Sequence, residues 1–432
     1  MNFKISDKEG ENFSNLSGDN NSIHLDDVAG YNSIFGEKIC HGCLIILKIF
    51  KIIKLKEIIK NLDKFSIKIK FFKHFSYNER IGLKIHKNRV IHLKLFQKGD
   101  LRAELEIEKI NTLSNYQLNN KKYFLNANKK SIKYFNRKNK MGNLSMMLNN
   151  LTKYVGTVYP GVNSIIREIN INFNNKFKFN KSKTEIASQK INNIIPIIKN
   201  KITYQNYIIE FQTLKRPVFK PKKIKLNSSV RKLSNKINKN ILIIGGSSGI
   251  GCELLNIFKN NKKIKIIATF NKNKILIKQK NIKKVKVDLM KSISPIKKVI
   301  QKNHPLIIYY FATPRIDIKL YDKKNYIIYK NFYVDLPLKI LSYSKYFNIK
   351  FFYPSTIFIN KNKSSYVRAK RLGEKILSKQ GNKKHLINIL KIDEIYTRQN
   401  LSLFNRNLPN FSELLNTNRK YQRKIFFNNR NS

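Results

Sequence analysis

The apolar and polar positions of the chain form two similar blocks in its first half. The apolar stretch from Cys40 to Ile59, within CHGCLIILKIFKIIKLKEIIK, predicts a long helix with a basic outer face. Four runs that alternate with period two then predict antiparallel strands: FSIKIKFFKHF, ERIGLKIHK, RVIHLKLFQK and RAELEIEKI. A second block repeats this order, with MGNLSMMLNNLTKYVGTVYPG as helix and NSIIREININF and ITYQNYIIEFQTL as strands. The repeated order predicts an α+β fold in which a sheet wraps around each helix.

From Ile241 the pattern changes to short apolar runs that alternate with helical stretches. The runs are ILIIG, IKIIATF, KKVKVDL, PLIIYYFA, IKFFYPS and HLINILKI. This alternation is typical of a parallel sheet with crossover helices. A length of 432 residues accommodates several domains. We therefore divide the chain into 1–110 and 111–225 as the two halves of the first fold, 226–238 as a basic linker, and 239–432 as an α/β domain.

The charge of the chain is extreme, with 87 Lys and Arg against 26 Asp and Glu and a formal net charge of +61. Such a balance is found in nucleic-acid-binding proteins, where the basic residues cluster on one face or in one arm. Here lysine is spread along the whole sequence, together with many Asn and Ile. We interpret the charge as a compositional bias and do not expect nucleic acid as the partner. A basic protein that binds nucleic acid or an acidic carrier, with inactive catalytic domains, is kept as an alternative.

Cysteine usage and the amino-terminal sequence bear on the compartment. Three cysteines cannot form a disulfide framework, and the C-x-x-C of Cys40 and Cys43 lacks the second pair that a zinc site requires. We therefore predict no metal site. The amino terminus has no apolar core of signal-peptide type, and no apolar run approaches the roughly 18 residues of a spanning helix. These features predict a cytoplasmic protein without a membrane span.

A glycine-rich turn follows the first strand of the α/β region. In ILIIGGSSGIG, Gly245 permits a tight turn, Gly249 lets the backbone approach a pyrophosphate, and Gly251 allows the next helix to pack against the strand. The helix then presents its amino end to the phosphates. We expect the intervening residues Ser247, Ser248 and Ile250 to line the same site. The turn predicts a dinucleotide-binding site.

A second motif, Ser365-Tyr366-Val367-Arg368-Ala369-Lys370, lies ten residues after Ser355-Thr356 at a strand end. The i, i+4 spacing puts Tyr366 and Lys370 on one helix face. With the glycine turn, this order resembles the short-chain dehydrogenase/reductase family, which implies a Rossmann domain and a nicotinamide cofactor. The resemblance implies that Tyr366 exchanges a proton with the substrate oxygen while Ser355 or Thr356 hydrogen-bonds it. It also implies that Lys370 lowers the phenol pKa and holds the nicotinamide ribose.

The same resemblance suggests further cofactor contacts: Asp288 beside the adenine, Asn271 near the ribose, Ala312 within YYFATP, and Thr397 at the carboxamide. The second strand ends in TFNKNK, without an acidic residue for the ribose 2′-hydroxyl and with lysines available for a 2′-phosphate. We therefore favour NADP(H) over NAD(H). Two departures from the family pattern are Asp335 at the position of its catalytic Asn, and Phe-Ala-Thr-Pro in place of its Asn-Asn-Ala-Gly.

The amino-terminal region contains a possible acid–base pair, Asp19 and His24, across a polar turn. His24 could take a proton from a water that Asp19 orients, with Asp19 handling the second proton. The amide of Gly42, at the start of the long helix, could donate to a thioester oxyanion. Spacing alone favours the simpler interpretation that Asp19 caps a turn and His24 is a surface histidine.

The surrounding residues nevertheless resemble the signature of MaoC-like hot-dog dehydratases and (R)-specific enoyl-CoA hydratases. The matching residues are Ser17, Asp19, Asn21, Ser22, His24 and Asp26, followed by Phe35, Ile39, His41 and Gly42, with Ser22 in place of Pro. This implies a hot-dog fold and hydration of trans-2-enoyl thioesters to (R)-3-hydroxyacyl thioesters. The second block resembles the other half of a double hot dog, without its own Asp and His pair. We expect it to shape the acyl tunnel.

Both resemblances point to one substrate class, since a hydratase product is a substrate for a 3-hydroxyacyl dehydrogenase. We expect a bifunctional enzyme acting on acyl-CoA or acyl-carrier-protein thioesters, with an acidic acyl carrier protein as a possible partner and a homodimer or tetramer as the assembly. The alternative is that only the oxidoreductase is active and the hot-dog half is an acyl-binding or dimerisation scaffold.

Overall fold

The computed structural model describes residues 1–110, 140–177, 197–303, 306–316, 321–360, 363–382, 384–402 and 407–428, and the backbone of strands 122–125 and 184–190. It contains two compact units, unit 1 (Met1–Val218 and Ser402–Asn405) and unit 2 (Phe219–Leu401 and Arg406–Ser432). The predicted division at 110/111 falls at the edge of a stretch outside the described residues.

Unit 1 contains six α-helices and ten strands among its described residues. The helices are α1 (Asp7–Ser17), α2 (Ser22–Leu25), α3 (Asp27–Tyr31), α4 (Gly42–Ile52), α5 (Leu55–Ile59) and α6 (Lys140–Lys153), the last followed by a π-helical turn, Tyr154–Val158. The strands are β1 (Asn2–Phe3), β2 (Lys64–Phe71), β3 (Ile81–Lys87), β4 (Ile91–Gln97), β5 (Asp100–Lys109), β6 (Lys122–Leu125), β7 (Ser164–Asn174), β8 (Thr184–Lys190), β9 (Ile197–Tyr204) and β10 (Tyr207–Lys215).

All ten strands form one antiparallel sheet in the order β1-β3-β4-β5-β2-β7-β10-β9-β8-β6. Counted outward from the central β2/β7 pair, the order is β2-β5-β4-β3 on one side and β7-β10-β9-β8 on the other. The two halves therefore have the same strand arrangement, each preceded by a helix, α4 or α6. Both helices share one apolar core with the buried sheet face, including Ile46, Ile49, Met147 and Leu148. The hot-dog identity of the two halves stays a prediction.

The predicted long helix from Cys40 to Ile59 is divided in the structure. Helix α4 begins at Gly42 and ends at Ile52, and α5 starts only at Leu55. Between them Lys54 has a φ of 54°, in the left-handed region. A residue in that conformation interrupts the i to i−4 hydrogen bonds, which the apolar periodicity does not reveal.

Unit 2 alternates strands and helices. The strands are β11 (Asn240–Ile244), β12 (Ile266–Phe270), β13 (Ile282–Lys286), β14 (Leu306–Tyr310), β15 (Ile349–Thr356) and β16 (His385–Ile392). The α-helices are α7 (Ser228–Asn235), α8 (Gly249–Phe258), α9 (Ser294–Lys302), α10 (Lys323–Lys330), α11 (Leu336–Tyr343), α12 (Ser365–Ser378), α13 (Phe411–Thr417) and α14 (Arg419–Phe426).

The six strands form a parallel sheet in the order β13-β12-β11-β14-β15-β16, which is the doubly wound arrangement of a Rossmann-like domain. Alternate residues of β11 enter two different cores: Ile241 and Ile243 one, Leu242 and Ile244 the other. Both faces of the sheet are thus covered, as parallel sheets require. The chain reverses direction across the sheet between β11 and β14, and ligands of such sheets bind outside the carboxyl ends of the strands at this point.

The segment predicted as a linker, 226–238, contains helix α7 in the structure. Asn227 caps this helix by accepting a hydrogen bond from the amide of Val230. Val230 is fully buried in a core of unit 2, whereas Arg231 and Lys232 are exposed. The basic residues of this segment therefore lie on the solvent-facing side of a helix. Within the described ranges, every helix is too short or too polar to cross a lipid bilayer.

Candidate functional site

The glycine turn of unit 2 is packed closely on both sides. Gly245 has a φ of 87°, and a Cβ there would lie 2.8 Å from the backbone nitrogen of Ala312, just after β14. A Cβ on Gly251 would lie 2.2 Å from the carbonyl oxygen of Gly245. Thr269 of β12 fixes the turn, since its Oγ1 accepts from the amide of Gly245 at 3.1 Å. Larger residues would displace the backbone at either glycine.

The amino end of α8 is suited to hold an anion. Its N-cap is Ser248, which is exposed and, within the described part of the chain, makes no side-chain capping hydrogen bond. The first amides of the helix, beginning with Gly249, therefore face outward with the positive end of the helix dipole. Thr397 closes one side, with its Cγ2 3.7 Å from the Cβ position of Gly249. Ser247 precedes the cap, and the side chain of Ile250 packs on the core. This cradle fits a pyrophosphate.

Two residues of the second motif meet near the same edge of the sheet. Burial raises the pKa of the phenol of Tyr366, near the start of α12, to about 12, and the nearby hydroxyl of Thr356, at the end of β15, acts in the opposite direction. Ser355 lies on the opposite face of the strand, because successive strand residues alternate. Its hydroxyl donates to Glu374 at 2.7 Å. Of the two predicted hydroxyl partners, Thr356 is the one that acts on the pKa of Tyr366, whereas Ser355 is bonded to Glu374.

Lys370 is buried one turn after Tyr366. Its ammonium donates to the carbonyl oxygen of Pro354 and lies 4.2 Å and 4.8 Å from the ring centres of Tyr333 and Tyr353. Burial lowers the pKa of Lys370 to about 7, a shift that Glu374 opposes. The resemblance implies that Lys370 lowers the pKa of the Tyr366 phenol. In the structure this pKa is raised, and burial is the largest cause.

Tyr333 joins the two parts of the site. Its ring packs edge-on against Tyr366 at a centroid distance of 5.5 Å, and its hydroxyl is hydrogen-bonded to Thr313. Thr313 directly follows Ala312, which contacts the glycine turn. A chain of contacts therefore runs from the glycine turn to Tyr366. Sequence reasoning did not find Tyr333, because tyrosine is frequent in this chain, with 21 copies.

Three other predicted positions lie around the sheet. Asp288 accepts a hydrogen bond from the amide of Met290, so its carboxylate also fixes the turn after β13. Asn271 is exposed directly after β12. Asp335 is half-exposed and forms an ion pair with Lys330 at 2.7 Å, at the end of a π-helical turn.

In unit 1 the predicted pair Asp19 and His24 is brought together. One carboxylate oxygen of Asp19 and one ring nitrogen each of His24 and His41 all lie within 4.8 Å of one another. Asp19 is 2% exposed. Its Oδ2 accepts from the hydroxyl of Thr152 at 2.7 Å, and its Oδ1 accepts from the amide of Asn21 at 3.2 Å. Asp19 thus caps a turn, as the simpler interpretation predicts, but it is buried while doing so, and His24 is half-buried beside it.

His24 is held in one tautomer. Its Nδ1 lies 2.8 Å from the carbonyl oxygen of Ile39, which can only accept, so Nδ1 carries the proton and Nε2 has a free lone pair. Burial lowers the pKa of His24, and the charge of Arg216 adds to this, against the opposing effects of Asp19 and the Ile39 carbonyl. The imidazole is therefore neutral near pH 7 and can accept a proton at Nε2.

His41 supports this pair from the start of α4. Its ring stacks on that of His24 at 3.9 Å. Its Nε2 donates to the carbonyl oxygen of Asp19 at 3.4 Å, and its Nδ1 accepts from Tyr77 at 3.2 Å. As the N-cap, His41 makes no side-chain capping bond within the described residues, so the amide of Gly42 is the first open donor of the helix.

Sequence reasoning missed the contribution of the second half to this site. Thr152, from α6, contacts the carboxylate of Asp19, and a Cβ on Gly156 would lie 2.0 Å from its Oδ1. Nothing in the sequence around Thr152 marks it out. Gly156 is the signal that could have pointed to this region, because glycine is rare in the chain, with 16 copies.

No known family profile and no curated protein matches the chain. Among solved structures, a thiolation-reductase di-domain from an archaeal non-ribosomal peptide synthetase is 17% identical, with a TM-score of 0.31, over 39% of this chain and 46% of that one. UDP-glucuronic acid 4-epimerase from Bacillus cereus, in complex with NAD, is 17% identical, with a TM-score of 0.30, over 36% and 56%. A short chain dehydrogenase from Burkholderia cenocepacia, in complex with NADP, is 12% identical, with a TM-score of 0.33, over 38% and 75%.

The chain thus spans about half the length of the first two of these proteins. At such identities and TM-scores the likeness gives no argument about activity. The strand order of unit 2 by itself defines the class of fold, a Rossmann-like domain.

Proposed function

We propose that unit 2 is an NAD(P)-dependent short-chain oxidoreductase that interconverts 3-ketoacyl and 3-hydroxyacyl thioesters. The observation that carries this proposal is the placement of Thr356, Tyr366 and Lys370 at the same sheet edge as the glycine cradle. An open helix amino end beside a phenol is suited to hold a dinucleotide next to a reacting carbonyl.

Each residue then has a chemical role. When bound, a nicotinamide cofactor supplies or takes the hydride. Tyr366, whose raised pKa keeps the phenol protonated near neutral pH, donates its proton to the ketone oxygen as that oxygen gains negative charge. Thr356 holds this oxygen and the phenol together. Lys370 would bind the ribose hydroxyls. The protonated phenol favours the direction of reduction.

We also propose NADP(H) as the favoured cofactor. The segment after β12 carries Lys272 and Lys274 and no acidic residue up to Ile282. A carboxylate there would hold a ribose 2′-hydroxyl, whereas lysines attract a 2′-phosphate. An assay with both NADPH and NADH tests this preference.

For unit 1 we propose hydration and dehydration of the corresponding enoyl and 3-hydroxyacyl thioesters, on a MaoC-like double hot-dog fold. Water bonds through its oxygen to C3 of the enoyl group, gives one proton to Nε2 of His24 and keeps the other as the proton of the product hydroxyl. The proton taken by His24 is then passed through the carboxylate of Asp19 to C2, so that both residues return to their starting states. The amide of Gly42 stabilises the negative charge on the thioester oxygen. The proximity of the buried Asp19 to the neutral His24 supports this proposal.

The two reactions share the 3-hydroxyacyl thioester. Its carrier is coenzyme A or an acyl carrier protein, and the net charge of +61 would attract an acidic carrier. A homodimeric or tetrameric assembly and a cytoplasmic location belong to the same proposal.

A crossed experiment tests both activities on the full chain. NADPH and NADH oxidation with a short 3-ketoacyl thioester, and hydration of crotonyl thioester, are measured for the wild type, Tyr366→Phe and His24→Ala. We expect Tyr366→Phe to lose at least about 100-fold in ketone reduction and keep hydration, and His24→Ala to show the reverse, since each removes one proton-transfer group. Reduction without any hydration would identify unit 1 as an acyl-binding or dimerisation scaffold. Unchanged rates in both variants would refute both assignments.

A further inference from the structure

We propose that the second half of unit 1 completes the Asp19 site and that Thr152 is a positioning residue, which fixes the orientation of the Asp19 carboxylate for hydration. This inference rests on the hydration activity proposed for unit 1. It gives the second half, which lacks an acid–base pair of its own, a defined part in the reaction.

The contact between Thr152 and Asp19 is short and shielded from water. The hydroxyl of Thr152 donates to Oδ2 of Asp19 at 2.7 Å, across 133 positions of sequence. Thr152 is 4% exposed and Asp19 is 2% exposed. A hydrogen bond to a buried carboxylate is charge-assisted and stronger than one between neutral groups. Breaking it leaves a buried charged oxygen without this donor, which is costly.

The hydroxyl of Thr152 has a single proton, and this proton goes to Oδ2 of Asp19. Cys43, from α4, lies beside Thr152, and burial raises the pKa of its thiol, an effect that Thr152 opposes. The thiol therefore keeps its proton near neutral pH and does not compete as a thiolate for the proton of Thr152.

Gly156 provides the space that this orientation needs. It lies in the π-helical turn that follows α6, and a Cβ there would be 2.0 Å from Oδ1 and 2.9 Å from Oδ2 of Asp19. Any side chain at this position would push the carboxylate away. Turns of this kind are often found at functional sites.

The remaining capacity of the carboxylate matches the proposed chemistry. Two oxygens offer about four lone-pair positions. The amide of Asn21 takes one on Oδ1 and Thr152 takes one on Oδ2. One position on each oxygen is left for water and for the proton in transit. Fixing the plane of the carboxylate decides where these positions point, so the effect belongs in the chemical step and not in substrate binding.

Threonine variants of the full chain test the role of the hydroxyl. In hydration of crotonyl thioester we expect Thr152→Val to lower kcat about 10- to 100-fold, the range found when a group that orients a functional residue is removed. KM should change less than about threefold, and Thr152→Ser, which keeps the hydroxyl, should recover most of kcat. Thr157→Val is the matched control, since Thr157 is exposed and donates to the carbonyl oxygen of Lys153.

Glycine variants test the space requirement. Gly156→Ala should lose hydration, while Gly82→Ala, whose new Cβ would have its nearest neighbour at 3.5 Å, should keep it. Circular dichroism and thermal unfolding identify a variant that fails to fold, and for such a variant the Thr152→Val and Thr152→Ser pair decides. If the wild type hydrates crotonyl thioester and Thr152→Val has an unchanged kcat, or lowers it no more than Thr157→Val, the positioning role is refuted. If the wild type does not hydrate it, both the activity and the positioning role are refuted.

Discussion

Among single residues, Lys370 has the least ordinary environment. The residue is 4% exposed, and its ammonium lies against two tyrosine rings and donates to one backbone carbonyl. Burial lowers its pKa from 10.5 to about 7. Above that pH the folded protein holds a neutral amine, whereas an unfolded chain keeps the proton to about pH 10. The unfolded state therefore binds more protons between these values, and stability rises with pH across this range.

We predict that this pH dependence disappears in Lys370→Met. The free energy of unfolding of the wild type, measured by urea denaturation, should increase relative to the variant by up to about 2 kcal/mol from pH 7 to pH 9, at about 1.4 kcal/mol per pKa unit. Lys375→Met, at an exposed lysine of the same helix, is the control for the general loss of positive charge. A difference between wild type and Lys370→Met that stays constant over this range would contradict the buried neutral amine.

Among the elements, the turn between β11 and α8 depends most on its sequence. Two glycines let the turn, the start of α8 and the segment after β14 approach one another closely. The apolar run before the turn predicts the strand. The need for glycine at Gly245, however, comes from its close approach to Ala312, which lies 67 positions further along the chain.

We predict that Gly251→Ala weakens NADPH binding at least about tenfold, equivalent to about 1.4 kcal/mol, because its Cβ would meet the carbonyl oxygen of Gly245 at 2.2 Å. Fluorescence titration with NADPH measures the Kd. Gly381→Ala, with its nearest neighbour at 3.9 Å, should bind as the wild type does. Equal affinities in all three proteins would exclude this turn as the phosphate site.

At the scale of the whole molecule, the net charge of +61 has to be weighed against the two sites. Both sites are built from buried or polar residues, and their few charged groups have specific contacts. Lysine elsewhere is spread over exposed positions of both units. Diffuse charge of this kind binds polyanions through released counterions, without sequence selectivity.

We predict that binding to duplex DNA is measurable at about 50 mM salt and falls by at least about a thousandfold by 200 mM, as expected for several phosphate contacts. Fluorescence anisotropy with two unrelated DNA sequences measures affinity and selectivity, and an acidic acyl carrier protein serves as comparison. Tight, sequence-selective DNA binding at 150 mM salt would instead support a nucleic-acid-binding function.

The sequence alone determined the parallel sheet of unit 2, the repeated order of helix and antiparallel strands in unit 1, and most candidate site residues, because periodicity, glycine spacing and short motifs are local properties. Tertiary structure decided what depends on contacts between distant segments. It selected Thr356 over Ser355, ended α4 at Ile52, and turned part of the predicted linker into α7. It also brought Thr152 to Asp19, since a hydrogen bond across 133 positions leaves no pattern in a single sequence.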